Sequence, residues 1–167
     1  MDGISVVGWD SLEYFWHRKT PGQAAADLAA VLDTYSNKWQ ANEIALIGYS
    51  FGADVMPSLY NRLPENVKNK VVLISLLGFS HSADWQISAF GWLGAPPTAQ
   101  ATPVAPEVSH ISPKLLKCFF GVEEDDTACP TLGSGAQIVE TSGGHHFGGN
   151  YDSLEKQILA AFLRKSR

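Results

Sequence analysis

The sequence predicts one α/β domain, with a mostly parallel sheet that carries helices on both faces. Short apolar runs rich in β-branched residues alternate with segments of helical periodicity, which is typical of parallel strands joined by right-handed crossovers. A Gly-x-Ser-x-Gly turn joins one predicted strand to the next predicted helix. The chain has 167 residues, 45% of them hydrophobic and 17% charged, which suffices for one domain with a sizeable core. We therefore expect residues 1–167 to form a single domain.

Charge and hydropathy exclude two classes of function. The formal net charge is −5, and no cluster of Lys and Arg offsets it locally, so nucleic acid is not an expected partner. The sequence contains no apolar run of about 18 residues, as a membrane-spanning helix requires. It also lacks the basic start and apolar core of a signal peptide. As given, the chain is expected to be soluble.

The elements follow one another in a regular order. Thr20 is the predicted N-cap of the first long helix, with Pro21 at its first position and Gln23 completing a capping box. The final helix is predicted to start at Asp152, with Glu155 as its capping-box partner. A helix is also predicted over residues 51–63, and strands over residues 4–8, 43–47, 70–77, 115–120 and 137–140.

Residues 78–113 interrupt this order. The segment is rich in Gly, Pro and aromatic residues and has no sustained period, and an insertion of this length is usually a functional lid or binding loop. We interpret it as a cap over the active site. An ordered surface loop, with its aromatic residues Phe79, Trp85, Phe90 and Trp92 buried in the ordinary way, is the alternative. His81 and His110 within it are expected to be incidental.

Ser50 is the predicted nucleophile. It lies between Gly48 and Gly52, where a strand turns sharply into a helix, and a Cβ at either glycine would clash as strand and helix pass closely. This turn strains the serine backbone and exposes the hydroxyl beside the first amides of the helix. The N–H of Phe51 is the predicted donor to an oxyanion.

The acidic partner is predicted in the loop after the strand at 115–120. Four consecutive acids, at positions 123–126, are most often a solvated turn. The loop beyond a parallel strand is nevertheless where this kind of fold places an acid, and acid and histidine candidates follow Ser50 in the required order. We favour Asp126 over Asp125, because Asp126 stands four residues before Pro130.

His145 is the predicted base. Glycines flank His145 and His146, which suits a tight loop that presents an imidazole to the serine and to a carboxylate. We favour His145, because it lies two residues before the aromatic Phe147, and place His146 on the rim. A metal site is not expected, since adjacent histidines point apart and no third ligand has suitable spacing. No cofactor is predicted.

Cys118 and Cys129 flank the acidic loop and are close enough in sequence to be bridged. Two buried free thiols and a disulfide both remain open at this point. A disulfide would imply an oxidising compartment.

Several motifs together resemble the bacterial virulence VirJ/AcvB family, over nearly the whole chain. They are Asp10-Ser11-Leu12 with Phe15-Trp16, Gly48-Tyr49-Ser50-Phe51-Gly52-Ala53-Asp54-Val55, Asn61-Arg62-Leu63-Pro64, Cys118, Cys129-Pro130 and Gly144-His145-His146-Phe147. The resemblance implies an α/β-hydrolase-like fold and a periplasmic serine esterase linked to virulence or type IV secretion. It implies aminoacylated phospholipid as substrate, with lysyl-phosphatidylglycerol the expected member, and peripheral membrane contact is compatible with it. It also implies Ser50, Asp126 and His145 as the catalytic triad, and a bridge between Cys118 and Cys129.

The sequence departs from this family at its beginning, where further strands and a glycine-rich loop with the second oxyanion donor are expected. The domain is therefore predicted to be N-terminally truncated, and the loss of one such donor typically lowers turnover about 100- to 1,000-fold. The missing strand would lie between the strands at 4–8 and 43–47. We predict either that these two pair directly or that a second copy of the chain fills the gap, giving a homo-oligomer through exposed sheet edges.

These observations together predict a serine ester hydrolase that works through an acyl-enzyme. Glu123, Glu124 or Asp125 is expected to meet the ammonium of a lysyl group. We assign substrate binding to Tyr49, Glu124, Asp125 and His146. The alternatives are a non-catalytic periplasmic binding or scaffold protein on the same fold, and a general carboxylesterase or thioesterase that acts on another small ester.

Overall fold

Parallel strands in sequential order form the centre of the molecule. The computed structural model describes residues 3–87 and 98–165. The strands are β1 (Ile44–Tyr49), β2 (Val71–Leu77), β3 (Ser82–Ala83), β4 (Thr102–Pro103), β5 (Leu116–Gly121) and β6 (Gln137–Thr141). In the main sheet the order is β1, β2, β5, β6, and each neighbouring pair is parallel. The predicted parallel α/β sheet is confirmed.

The helices lie before, between and after these strands. They are α1 (Ser11–Tyr14), α2 (Pro21–Trp39), α3 (Phe51–Asn61), α4 (Glu65–Lys68), α5 (Ala105–Val108) and α6 (Tyr151–Lys165). The predicted capping box of Thr20 and Gln23 is present at the start of α2. The prediction for the last helix is wrong, because α6 begins one residue before Asp152. There Asn150 Oδ1 accepts from the amide of Ser153, which places Asp152 within the first turn.

Two apolar clusters cover the two faces of the sheet. On one face α2 and α3 pack against the strands through a large cluster that includes Leu28, Leu46 and Leu59. On the other face Leu154 and Ile158 of α6 pack with Phe119 in a smaller cluster. The structure thus confirms helices on both faces, as the burial of a parallel sheet requires.

The predicted strand at residues 4–8 does not form. These residues contain no strand, and Ile4, Val6 and Val7 are 40%, 80% and 37% exposed. An apolar run becomes a strand only where a neighbour completes its hydrogen-bonded ladder, and within the described residues β1 pairs with β2 alone. The predicted direct pairing with β1 is therefore wrong. Pairing of the free β1 edge with a second copy stays a prediction, which the oligomeric state in solution would test.

The described parts of the 78–113 segment pack on the face that α3 covers. The two-residue strands β3 and β4 pair antiparallel, and Phe79, Trp85, Val104 and Ile111 are buried in the larger cluster. Glu107 of α5 accepts hydrogen bonds from Ser58, Asn61 and Arg62 at the end of α3. Phe90 and Trp92 lie outside the described residues. The role of this segment as a cap stays a prediction.

Candidate active site

The carboxyl ends of all four strands of the main sheet meet at one edge. Ser50 directly follows β1, and Gly78 follows β2. Glu124 lies in the loop after β5, and His145 in the loop after β6. Because the strands are parallel, each contributes one residue to the same edge, where ligands bind in open α/β sheets.

Ser50 sits in a strained turn between β1 and α3. Its backbone has φ 54° and ψ −124°, a conformation that non-glycine residues rarely adopt. A Cβ on Gly48 would lie 2.5 Å from the carbonyl oxygen of Gly52, so this glycine is required by the close passage of strand and helix. Ser50 also donates its backbone N–H to Leu77 O at 2.8 Å, which ties the turn to β2. The predicted sharp turn is present, but the predicted clash at Gly52 is wrong, because a Cβ there would meet only Ser11 Oγ, at 3.7 Å.

The amides that open α3 face no acceptor within the helix. The carbonyl of Ser50 accepts the first helical hydrogen bonds, from Ala53 and Asp54. The amides of Phe51 and Gly52 precede them, and Ser50 provides no side-chain cap to α3. These N–H groups, at the positive end of the helix, are suited to bind an anion beside the serine hydroxyl.

Three side chains form a continuous hydrogen-bonded chain. His145 Nε2 lies 2.8 Å from Ser50 Oγ, and His145 Nδ1 lies 2.7 Å from Glu124 Oε1. An ionised carboxylate only accepts hydrogen bonds, so Nδ1 carries the imidazole proton and Nε2 is free to accept the serine proton. This arrangement can remove the proton from Ser50 and stabilise the imidazolium that forms.

The carboxylate in contact with His145 belongs to Glu124, and this corrects two predictions. The sequence favours Asp126 for this position, but Asp126 Oδ1 lies 3.9 Å from His81 Nε2 instead, and both side chains are exposed. Asp125 is exposed as well. The sequence predicts a role in substrate binding for Glu124, but both of its carboxylate oxygens are engaged, Oε1 by His145 and Oε2 by the amide of Gly121 at 2.7 Å.

Local backbone geometry explains this choice of acid. The amide of Glu124 donates to the carbonyl of Gly121, which closes a turn directly after β5. The glutamate side chain then folds back over this turn, so that one oxygen meets the Gly121 amide and the other meets His145. Asp126 lies beyond the turn, near His81.

Two glycines leave space for the histidine loop. A Cβ on Gly78, which has φ +63°, would lie 2.6 Å from Cε1 and 2.8 Å from Nδ1 of His145. A Cβ on Gly121 would lie 2.2 Å from the carbonyl oxygen of Gly143. Phe147, the predicted anchor of this loop, is 1% exposed and packs in the smaller cluster, on the face that α6 covers.

Tyr49 and His146 contact each other at the rim. The Tyr49 hydroxyl lies 2.7 Å from His146 Nδ1 and 3.3 Å from the backbone carbonyl of His145. Partial burial, and to a smaller extent the nearby Tyr151 and Glu124, raise the pKa of the Tyr49 hydroxyl. The assignment of Tyr49, His146 and the exposed Asp125 to substrate binding stays a prediction.

Comparison with known proteins identifies the family. A family model described as "Bacterial virulence protein (VirJ)" matches residues 1–166. The chain belongs to the VirJ family. A search of curated proteins found no matching sequence.

Two solved structures resemble this VirJ-family chain. Human thioesterase 2 is 17% identical in sequence, with a TM-score of 0.58 over 87% of this chain and 83% of that one. The thioesterase domain from the curacin biosynthetic pathway is 15% identical, with a TM-score of 0.46 over 81% of this chain and 73% of that one. The first likeness, together with the strand order and the turn at Ser50, identifies the fold as that of the α/β hydrolases.

Asp54 is a further carboxylate at the site of the VirJ-family chain, and sequence reasoning gave it no role. It lies in the first turn of α3, and its Oδ1 accepts from the amide of Ser80 at 2.8 Å. Burial raises the pKa of Asp54 to about 6, although hydrogen bonds from Ser80 and the nearby imidazole of His145 act to lower it. The available signal was an acid placed four residues after Ser50, which puts both residues at the same end of the helix.

A disulfide joins Cys118 of β5 to Cys129, beyond the acidic loop. The bridge implied by the family resemblance is thus present, and it closes the segment that holds Glu124. Within residues 3–87 and 98–165, no group of three or more His, Cys, Asp or Glu side chains is arranged to hold a metal ion. In the same part of the chain, no helix is long and apolar enough to cross a membrane.

Proposed function

We propose that this VirJ-family chain is a serine ester hydrolase. The main observation in support of this proposal is the hydrogen-bonded chain from Ser50 through His145 to Glu124. Ser50 Oγ attacks the ester carbonyl while His145 Nε2 takes its proton, and the collapse of the tetrahedral intermediate returns that proton to the leaving alcohol. Water, activated by the same histidine, then cleaves the acyl-enzyme and frees Ser50.

The amide of Phe51 is the proposed donor to the oxyanion. It opens α3 next to the nucleophile, and no acceptor within the helix competes for it.

The proposed substrate is an aminoacyl ester of a phospholipid, with lysyl-phosphatidylglycerol first. The family resemblance supports this choice, and so does the negative charge around the histidine loop. Glu124 is engaged by His145, so the acids that remain for an ammonium group are Glu123, Asp125 and Asp126, all exposed in one loop. Neutralising these three residues together should raise KM for a lysyl ester and leave KM for a neutral ester unchanged.

A periplasmic location and a role in virulence or type IV secretion complete the proposal. The disulfide between Cys118 and Cys129 supports an oxidising compartment, in which such bonds form and persist. A phospholipid substrate also requires contact with a membrane surface. Cofractionation of the native protein with periplasmic markers is the expected result, and a cytoplasmic pool with reduced cysteines would contradict it.

Covalent labelling tests the reaction directly. A fluorophosphonate should label the native chain but neither Ser50→Ala nor His145→Ala, because only a serine paired with a base reacts. Hydrolysis of lysyl-, alanyl- and unmodified phosphatidylglycerol in vesicles then tests the substrate. The proposal of a hydrolase fails if the folded native chain is not labelled, and the lysyl substrate fails if a labelled chain leaves the aminoacyl esters intact.

Thioester hydrolysis is the second candidate, favoured by the shared fold with human thioesterase 2. A thioester would use the same serine and histidine and differ only in its leaving group. Parallel assays with an acyl-coenzyme A and the matching oxygen ester would separate the two. The non-catalytic scaffold is disfavoured, because a protein without catalysis has no need to align Ser50, His145 and Glu124 within hydrogen-bond distance.

A further inference from the structure

The residue before the nucleophile contacts the loop that carries the base. Tyr49 ends β1, and its hydroxyl lies 2.7 Å from His146 Nδ1 and 3.3 Å from the carbonyl oxygen of His145. Its ring lies 5.5 Å from the His145 ring at an interplanar angle of 30°, and 6.1 Å from the ring of Phe147. One side chain thus contacts three successive residues of the histidine loop.

The hydrogen-bonding capacity of the hydroxyl is used on this loop. A phenol has one proton to donate and lone pairs to accept. If it donates to the carbonyl of His145, it accepts from His146 Nδ1–H; both bonds then hold the same loop. The hydroxyl therefore has no proton left for a substrate.

The contact joins strands at opposite sides of the sheet. In the order β1, β2, β5, β6, the nucleophile follows the first strand and the histidine loop follows the last. No backbone ladder links these two strands, so their relative position depends on β2 and β5 between them and on side-chain contacts. In the described part of the chain, the hydrogen bonds that join Tyr49 and Ser50 to the histidine loop are those of the Tyr49 hydroxyl and of Ser50 Oγ itself.

We infer that Tyr49 is a positioning residue for the base. Its hydroxyl holds the loop of His145 and His146 against the end of β1, and this keeps His145 Nε2 within reach of Ser50 Oγ. The inference rests on the proposed serine hydrolase function and assigns Tyr49 to alignment, in place of the substrate binding predicted from sequence. Misalignment of a catalytic group lowers the rate of the chemical step more than it weakens substrate binding.

Tyr49→Phe is the direct test, because it removes the hydroxyl and keeps the ring. The matched control is Tyr151→Phe, which removes the hydroxyl of a neighbouring exposed tyrosine for which the structure describes no hydrogen bond. With a short-chain aryl ester, Tyr49→Phe should lower kcat about 10-fold with KM unchanged, as expected for lost alignment. It should lower the second-order rate of fluorophosphonate labelling by a similar factor, and Tyr151→Phe should change neither.

A double-mutant cycle with His146 adds a readout that a general structural role would not give. If Tyr49 and His146 act as one unit, then Tyr49→Phe, His146→Ala and the double variant should all show the same loss, whereas independent effects would multiply. Proton NMR should show the signal of the proton between His145 Nδ1 and Glu124 weakened or shifted in all three variants and unchanged in Tyr151→Phe.

The outcomes separate this inference from the proposed function. A rise in KM with kcat unchanged would assign Tyr49 to substrate binding and overturn the inference, as would unchanged kinetics and an unchanged NMR signal. If the native chain is not labelled at all, the proposed function fails, and the NMR signal alone then decides whether Tyr49 positions the histidine.

Discussion

Glu124 and Asp126 are two carboxylates of one acidic loop, two residues apart, with opposite surroundings. The Glu124 side chain is 10% exposed and bonded to His145 and to the amide of Gly121. The Asp126 side chain is 67% exposed and lies 3.9 Å from an exposed His81. The difference shows that the turn after β5, and not the spacing to Pro130, selects the acid that contacts the histidine. Glutamate has one methylene more than aspartate, which gives it the reach to fold back over this turn.

The largest expected effect is that of neutralising Glu124, and the same change at Asp126 is its control. Glu124→Gln should lower kcat about 1,000- to 10,000-fold, because the imidazole loses the acceptor that fixes its tautomer and stabilises its charge. Asp126→Asn should leave kcat within about 2-fold, since its carboxylate does not touch the histidine. Steady-state kinetics on an aryl ester, with circular dichroism as a folding control, measures both. Equal losses of kcat in the two variants would show that contact with His145 does not distinguish Glu124 from Asp126.

Opening the disulfide should weaken the turn that distinguishes the two acids. The bridge joins positions separated by 11 residues, and its loss in Cys118→Ser/Cys129→Ser should lower the free energy of unfolding by about 3 kcal/mol. Urea denaturation of the double variant and of the native chain gives this difference. When the double variant is combined with Glu124→Gln, the fold-loss of kcat should be smaller than the product of the two separate fold-losses. Both changes act on the same contact, the hydrogen bond between Glu124 and His145. Full multiplication of the losses would show that the bridge does not support Glu124.

Asp54 tests whether a carboxylate near His145 supports the histidine without a direct contact to the imidazole. Its pKa is raised from 3.8 in the unfolded chain to about 6 in the folded chain. Between pH 3.8 and about 6, the folded chain therefore keeps a proton on Asp54 that the unfolded chain releases. The contribution of Asp54 to the free energy of unfolding should therefore fall by about 2 to 3 kcal/mol as the pH rises from about 4 to above 6. Asp54→Asn keeps an oxygen for the Ser80 amide and should abolish this loss.

Urea unfolding of Asp54→Asn and of the native chain at about pH 4 and pH 7.5 measures the effect. The two should be alike at the lower pH, and the variant should be the more stable at the higher one. A variant less stable than the native chain at about pH 7.5 would contradict the raised pKa. A loss of kcat as large as that of Glu124→Gln would show that charge alone supports the histidine.

The exposed pair of Asp126 and His81 should give the smallest effect. A solvent-exposed ion pair contributes at most about 1 kcal/mol, and this contribution declines with salt. His81→Ala and Asp126→Asn should each change the free energy of unfolding by less than about 0.5 kcal/mol at about 0.15 M salt. A larger change, measured by thermal or urea unfolding, would show that this pair stabilises the loop more than an exposed ion pair does.

The elements predicted correctly depend on residues close in sequence. The capping box at Thr20 and Gln23, the glycine-flanked turn at Ser50 and the strand that becomes β2 each have a local signal in composition or spacing. The prediction of His145 depends on the aromatic residue two positions later, and that residue, Phe147, is buried. Such signals are visible because neighbouring residues determine the outcome.

Apart from the start of α6, which lies one residue earlier than predicted, the errors concern features that distant residues determine. The run at 4–8 has strand composition, but within the described residues no neighbouring strand completes its ladder. Asp126 fits a common spacing, but the contact to His145 depends on how the turn after β5 is placed against the loop after β6. The bridge between Tyr49 and His146 spans 97 positions and has no local signal. Tertiary geometry decides each of these cases.

The disulfide also changes what a protease can do to the acidic loop. Glu123, Asp125 and Asp126 are exposed, and loops of this kind are common cleavage sites. The covalent bond between Cys118 and Cys129 closes this loop into a ring. A single cut within the ring therefore leaves both fragments joined, with β5 and β6 still in one molecule. Such a cut is invisible by electrophoresis until the sample is reduced, so a nicked chain would pass as intact protein although Glu124 no longer lies beside His145.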